Sequence, residues 1–409
     1  MQILYISTVL KKETFDELLS IQKKQKNTYG MPVASNKFHN LIIDGLNNNS
    51  NNVTAITGRA ISSDTHDKLF WSSYHEKQGN IDFKYLTIIN VPIIKQLYVG
   101  VQYFFNTLNW LAKNKKLDKI IIYDASYVSS IPFVIFATKF FRCKKIGVFA
   151  DIYSYMADTS TFNRKSRKLD KILKRMMRWC YNNTDKYIFL SEQMNALINI
   201  NKKPYFVMEG IADKNLSEFN SKPIKSSKYI VMYAGALKEE YGLKTLIDGF
   251  MEYENINVEL DIYGDGNIID YILEKSKIDK RIKYCGILNN DEIIKKEMKA
   301  TLLINPRPTN SEFTKYSFPS KIIEYMTSGT PILTTRLPTI PKEYEKYLYF
   351  IEDNGKDALK KALTSILKKD KIELYNYGKK ARKFILKNKN QDIQSENIIE
   401  GMGCKCEKL

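Results

Sequence analysis

Tyr316-Ser-Phe-Pro-Ser-Lys-Ile-Ile-Glu-Tyr-Met-Thr-Ser-Gly-Thr-Pro331 is the stretch from which the fold of this chain is read. Pro319 presets a backbone angle suited to a helix start, and Gly329 followed by Pro331 marks the stop. The helix between them has roughly two to three turns, and Lys321 and Glu324, three residues apart, share a face. Ile332-Leu333 then open an apolar run that reads as the next strand. A helix N-terminus offers an anion free N–H groups and the positive end of its dipole. Ser320 and Lys321 stand at that end, and Glu324 adds a carboxylate that accepts hydrogen bonds from paired sugar hydroxyls. Phosphate and ribose recognised side by side mean a nucleotide. An ordinary amphipathic helix with a surface Lys–Glu pair fits the same letters.

The neighbouring segments narrow the choice. Thr301-Leu-Leu-Ile-Asn-Pro306 reads as the preceding strand, followed by the loop Arg307-Pro-Thr-Asn-Ser-Glu-Phe-Thr-Lys315. Upstream lie Tyr229-Ile-Val-Met-Tyr-Ala-Gly-Ala-Leu237, Leu260-Asp-Ile-Tyr-Gly-Asp-Gly266 and Ile282-Lys-Tyr-Cys-Gly-Ile-Leu288. Four motifs in this order and spacing resemble the C-terminal half of a GT-B glycosyltransferase of the retaining family 4 type, in the branch with a Phe-Pro-Ser-Lys helix start. By that resemblance Glu324 holds the donor ribose, Gly235 brings backbone close to the diphosphate, and Gly264 belongs to the Gly-x-Gly turn beside it. The match is detailed over the second half of the chain and holds in outline over the first.

Three positions depart from the family pattern. Tyr316 stands where the family has a Glu eight residues before the ribose Glu, and Ala236 and Tyr241 replace its usual Arg and Lys. The replacements expected to face the donor phosphates are Lys238, Arg307 and Lys321, since a diphosphate in a cleft needs compensating cations. Glu312, just before the helix, is a candidate for the carboxylate lost at position 316.

A length of 409 residues suits two domains of similar size, with 44% hydrophobic and 12% aromatic residues to fill their cores. Strands expected at Ile3–Ser7, Val53–Gly58, Lys84–Ile88, Lys119–Tyr123, Lys145–Phe149 and Lys186–Leu190 alternate with helical stretches, among them Lys37–Leu46. The fold class is therefore α/β: two Rossmann-like, doubly wound domains, which GT-B proteins set facing across a cleft. The expected boundaries are 1–212 for an acceptor-side domain, 213–228 for a linker and 229–389 for the nucleotide-sugar domain, with a helix from about 390 returning to the first domain. Five cysteines show no paired framework, and no signal peptide stands at the start, so a reduced, cytoplasmic protein is expected.

The formal net charge is +19. Arg164 to Cys180 reads as a helix with Leu169, Ile172, Leu173, Met176 and Cys180 on one stripe and a cationic opposite face. Such a helix lies on an anionic membrane surface, or packs its stripe on its own sheet and leaves its charges in water. Residues 96–112 form a long uncharged run that reads as a buried or interfacial helix, and 129–145 carry apolar residues edged with Lys that suit contact with lipid. No nucleic-acid motif accompanies the charge, so nucleic acid is not an expected partner. The expectation is peripheral attachment to the inner face of the cell membrane, beside a lipid-linked glycan acceptor.

In the first domain Asp151 follows an apolar strand and resembles the Asp that the family sets near the transferred sugar; a helix N-cap fits it equally. Gly30 is a candidate for the glycine loop approaching the donor, and His39 reads as structural. No Asp-x-Asp metal motif is seen, so neither metal nor other cofactor is expected. The resemblance implies a retaining transfer from a nucleotide-sugar donor, UDP-linked by expectation, to a growing capsule or exopolysaccharide. Two other classes stay open: a catalytically silent GT-B subunit that positions an active partner, and a nucleotide-sugar epimerase on the same fold. Nothing in the sequence sets an oligomeric state.

Overall fold

Short, nearly continuous apolar runs form the strands, as buried parallel sheets require. The computed structural model describes residues 1–22, 32–127, 131–150, 167–218 and 228–400. The chain divides into Met1–Ile211 with Gln391–Leu409, and Ala212–Asn390.

In the first unit the strands are β1 (Gln2–Ser7), β2 (Asn52–Thr57), β3 (Phe70–Trp71), β4 (Tyr74–Gln78), β5 (Ile81–Tyr85), β6 (Ile88–Ile89), β7 (Lys119–Asp124), β8 (Lys144–Phe149), β9 (Lys186–Phe189) and β10 (Tyr205–Val207). Eight of them make one sheet in the order β10-β9-β8-β7-β1-β2-β5-β4. Every pair in it is parallel except the edge hairpin β4–β5, and β3 pairs with β6 in a separate antiparallel ribbon. Ile3 of the central β1 lies between Val53 and Ile120 in register, and Ile3 to Ile6 are all buried.

The second unit holds β11 (Tyr229–Ala234), β12 (Val258–Tyr263), β13 (Ile282–Tyr284), β14 (Leu302–Asn305), β15 (Ile332–Thr335) and β16 (Tyr349–Ile351). They form an all-parallel sheet in the order β13-β12-β11-β14-β15-β16. Val231, Leu260, Leu302 and Leu333 of its strands share a core with Leu246 and Phe250 of the helix Leu243–Met251 and Leu363 of the helix Lys356–Leu367. Both sheets are Rossmann-like, and each reverses its direction of growth at the first strand of its unit: between β1 and β7, and between β11 and β14. Ligands of open parallel sheets bind outside the carboxyl ends of the strands at this switch point.

Some expected boundaries shift. The strand expected at Lys84–Ile88 is two elements, β5 and β6. The polar stretch after β1 contains a helix, Lys12–Ser20, which buries only Phe15 and Leu18 and so left a faint apolar pattern. The expected linker contributes a short turn, Lys214–Glu218, to the second unit, where the Leu216 carbonyl accepts from Arg382.

The helix Gln391–Glu400 packs on Val33–Asn48 within the first unit. Its buried face is mostly polar, with Ile398 the apolar member: Gln394 Nε2 donates to the Gly210 carbonyl at 2.9 Å and Ser395 Oγ to that of Ile42 at 3.2 Å. The two helices meet at Gly45, where a β-carbon would lie 2.0 Å from the Gln391 carbonyl oxygen. Gly45→Ala is therefore expected to lower stability by about 3 kcal/mol through overpacking against backbone, read as a lower urea midpoint at unchanged slope.

Candidate functional site

The hydroxyl of Tyr325 accepts from the Ala234 N–H at 3.0 Å and donates to the Ala234 carbonyl at 3.1 Å. Tyr325 belongs to the helix Lys321–Ser328, and Ala234 ends β11. The strand end is thereby tied to the helix, and Lys321, one turn before Tyr325, comes to the residue after the strand, Gly235. A β-carbon on Gly235 would lie 3.6 Å from Lys321 Cε. The helix stops as expected at Gly329, whose φ of 80° is the left-handed conformation that glycine adopts freely.

The loop after β12 presses against the same place. Gly264 sits at φ 134°, and a β-carbon there would lie 1.8 Å from the Gly235 carbonyl oxygen. Gly264 N–H donates to Gly286, and Gly235 N–H to the Tyr263 carbonyl. Only glycine at 264 lets the two loops nest this closely.

Cations converge on these loops. Lys321 Nζ lies 2.7 Å from Glu324 Oε1, and the two side chains keep 28% and 20% of their exposure. Burial pushes the Lys321 ammonium down, but the carboxylates of Glu324 and Glu297 outweigh it and hold it above the ordinary lysine value. Arg307, two residues past β14, sets its guanidinium 4.8 Å from the Tyr241 ring centre and 5.9 Å from that of Phe313. Lys238 reaches the Tyr241 ring at 5.8 Å and Glu240 at 3.5 Å. Burial pushes the Tyr233 hydroxyl up to about 12 against the pull of Arg307 and Lys321, so it stays protonated, and it donates to the Ala236 carbonyl at 2.9 Å. Gly235, Gly264, Lys238, Arg307, Lys321 and Glu324 are thus gathered at the carboxyl ends of β11, β12 and β14. Ser320 is exposed as the N-cap of the helix.

Glu312 is exposed and paired with Lys315 at 2.6 Å. Asp151 and Gly30 lie outside the described residues. His39 is buried, as a structural histidine would be, between Tyr5 Oη at 2.6 Å and Asp124 Oδ2 at 3.2 Å. Asp124 ends β7 at the first sheet's switch point; burial pushes its carboxyl up, yet His39 and the Ser126 amide hold it below the usual range.

Glu297 went unread in the sequence. It ends the helix Asn290–Glu297 and is 0% exposed, on the face of Ile293 and Ile294. The signal was there: a carboxylate at the next position of an apolar stripe, where a buried charge needs a cation in reach.

Residues 215–384 match the family model for glycosyl transferases group 1. Solved structures align over nearly the whole chain. Sucrose-phosphate synthase from Thermosynechococcus elongatus is 13% identical, with TM-score 0.66, covering 98% of this chain and 99% of its own. The lipopolysaccharide outer core galactosyltransferase WaaB, in its apo form, is 14% identical with TM-score 0.61, covering 99% and 100%. Anabaena HepE in complex with UDP-glucose is 12% identical with TM-score 0.61, covering 98% and 99%. No curated protein matches by sequence. The fold is GT-B. The family match lies within the second unit, and together with the fold it indicates a glycosyltransferase.

Removing Lys321 leaves Glu297 and Glu324 without their shared cation. Lys321→Met is expected to destabilise by about 2 kcal/mol, and Lys321→Met/Glu297→Leu to recover at least half of it, measured by urea unfolding.

Proposed function

We propose that this glycosyltransferase transfers a sugar, with retention of anomeric configuration, from a UDP-sugar to a lipid-linked or growing surface polysaccharide of the capsule or exopolysaccharide kind. In this reading it belongs to family 4, in the branch with the Phe-Pro-Ser-Lys helix start, and works at the inner face of the cell membrane. The carrying observation is the set of cations around Gly235 at the switch point of the second sheet, beside a half-buried carboxylate, Glu324. Diphosphate needs the first and ribose hydroxyls the second. The three solved relatives named above include a galactosyltransferase and a complex with UDP-glucose, in keeping with such a donor.

In the proposed reaction the acceptor hydroxyl attacks the anomeric carbon from the face the diphosphate leaves. The bond to the diphosphate breaks as the new glycosidic bond forms, and the hydroxyl proton passes to a phosphate oxygen. Lys321, Arg307, Lys238 and the N-terminus of the Lys321–Ser328 helix carry the growing negative charge. Preorganised charges of this kind supply the largest share of catalysis where charge develops in a half-buried site. In this reading the cations neutralise the leaving group without a metal. Tyr241 takes over part of the lost lysine's work by holding Arg307 against its ring, a contact stronger away from water. That stacking favours replacement of the family's residues over a silent subunit.

The test is UDP binding by calorimetry with turnover of a UDP-sugar of defined anomer. Glu324→Gln is expected to weaken UDP about thirtyfold, the worth of charge-assisted hydrogen bonds to two hydroxyls. Arg307→Met is expected to lower kcat more than it raises KM. The product's anomeric proton coupling should match the donor's, and added chelator should leave the rate unchanged. Absence of UDP binding and of turnover in the wild type would leave the silent-subunit reading.

A further inference from the structure

The helix Ile94–Lys113, the segment Ile131–Phe140 and the helix Arg167–Asn182 lie far apart in the chain, yet the second packs against both of the others. Together they expose one apolar face. Leu97, Val101 and Phe105 recur every four residues and form a stripe along the first helix. Phe136 and Phe140 come from the second segment and Ile172 from the third, all six between 43% and 62% exposed. Phe104 joins them, its ring 5.7 Å from Phe136 and 6.3 Å from Phe140. Lys139 bridges to the third helix, its ammonium 5.0 Å from the Trp179 ring centre and 6.0 Å from that of Phe136. Ile172 is seven residues before Trp179 and so lies on the same helical face. Of the stripe expected on this helix, Cys180 is buried while Ile172 stays exposed, and Met177 sinks into the core beside it.

The rim of this face is cationic. Lys139, Arg142, Lys171, Arg175 and Arg178 are exposed, and neither 91–117 nor 125–150 contains an Asp or Glu. Monomers rarely leave so continuous an apolar patch in water. Aromatic rings at a water boundary with lysines and arginines around them suit a headgroup layer over acyl chains. No helix among the described residues is long and apolar enough to cross a membrane, so the contact made is one of surface insertion.

We infer that this three-segment face is where the protein docks on an anionic phospholipid bilayer, the six side chains entering the acyl boundary and the basic rim pairing with phosphates. The inference specifies a surface for the membrane attachment proposed above and rests on that reading. It does not depend on the donor site. The charge complementarity selects lipid over an apolar protein partner, because the described charges exposed beside the patch are all basic.

Its test is flotation with vesicles of phosphatidylglycerol or phosphatidylcholine, with and without brominated acyl chains. The wild type should bind phosphatidylglycerol, bind phosphatidylcholine at least tenfold more weakly, and lose affinity as salt rises. Brominated chains should quench tryptophan emission, and Trp179→Phe should abolish the quenching, since Trp71 and Trp110 are buried. Phe105→Ser/Phe140→Ser should weaken binding about a hundredfold, tenfold for each ring, while UDP still shifts the melting temperature. Should that variant fail to fold, Lys171→Glu/Arg175→Glu/Arg178→Glu must show the loss instead. No binding to phosphatidylglycerol, equal binding to both lipids, or binding with Trp179 unquenched would overturn the inference. Vesicle binding that persists in a protein with no UDP response would overturn the donor reading alone.

Discussion

One hydroxyl fixes the geometry on which the proposed donor site depends. Tyr325 uses both its proton and its lone pair on a single peptide unit, Ala234, so the helix can neither slide along β11 nor rotate without breaking two bonds away from water. Burial raises the pKa of the Tyr325 hydroxyl well above that of free tyrosine, which keeps the proton in place for the carbonyl. A buried pair of this kind is costly to disturb because each group would lose its partner without regaining solvent. Lys321 and Glu324 inherit their positions from it, being one turn and one residue away on a rigid element. The loops after β11 and β12 can then nest because Gly264 has no side chain.

Charge placement in the second unit follows a different logic from that in the first. At the second switch point the positive groups keep partial access to water and lean on aromatic faces, as Arg307 does on Tyr241 and Phe313. Each ring fixes a cation without neutralising it, leaving its hydrogen-bonding directions open. At the first switch point Tyr5, His39 and Asp124 are buried and closed on one another. One sheet architecture thus supports an open, charged site in one unit and a locked brace in the other.

The helix carrying Lys321 and Glu324 was legible because its signals are local: a proline before it, a glycine after it, and two charges three residues apart. The two parallel sheets were legible for the same reason, since their buried strands read as apolar runs. Glu297 and Tyr325 were not, because their work depends on residues distant in sequence, and a tyrosine or glutamate in an amphipathic helix carries no local mark of it. Arg307 was foreseen as a cation, but its stacking on Tyr241 emerges only when the loops after β11 and β14 are brought together. The expected stripe of the basic helix is split: Cys180 sits in the core while Ile172 is exposed, and Met177, outside that stripe, is buried. Helical pattern gives a face, and only packing decides what that face meets.

The helix Gln391–Glu400 belongs to the first unit but follows the whole of the second in the chain. During synthesis, residues 49 to 390 must all leave the ribosome before Gln391 can reach the groove floored by Gly45. At ordinary elongation rates that interval is on the order of tens of seconds. Until that helix arrives, the carbonyl of Ile42, and that of Gly210 once it is made, lack the side-chain donors that the finished chain gives them. The second unit has no such debt, because its strands and helices are contiguous from Ala212 to Asn390. The nascent protein therefore completes its second domain first, and the first domain matures last, when the closing helix arrives.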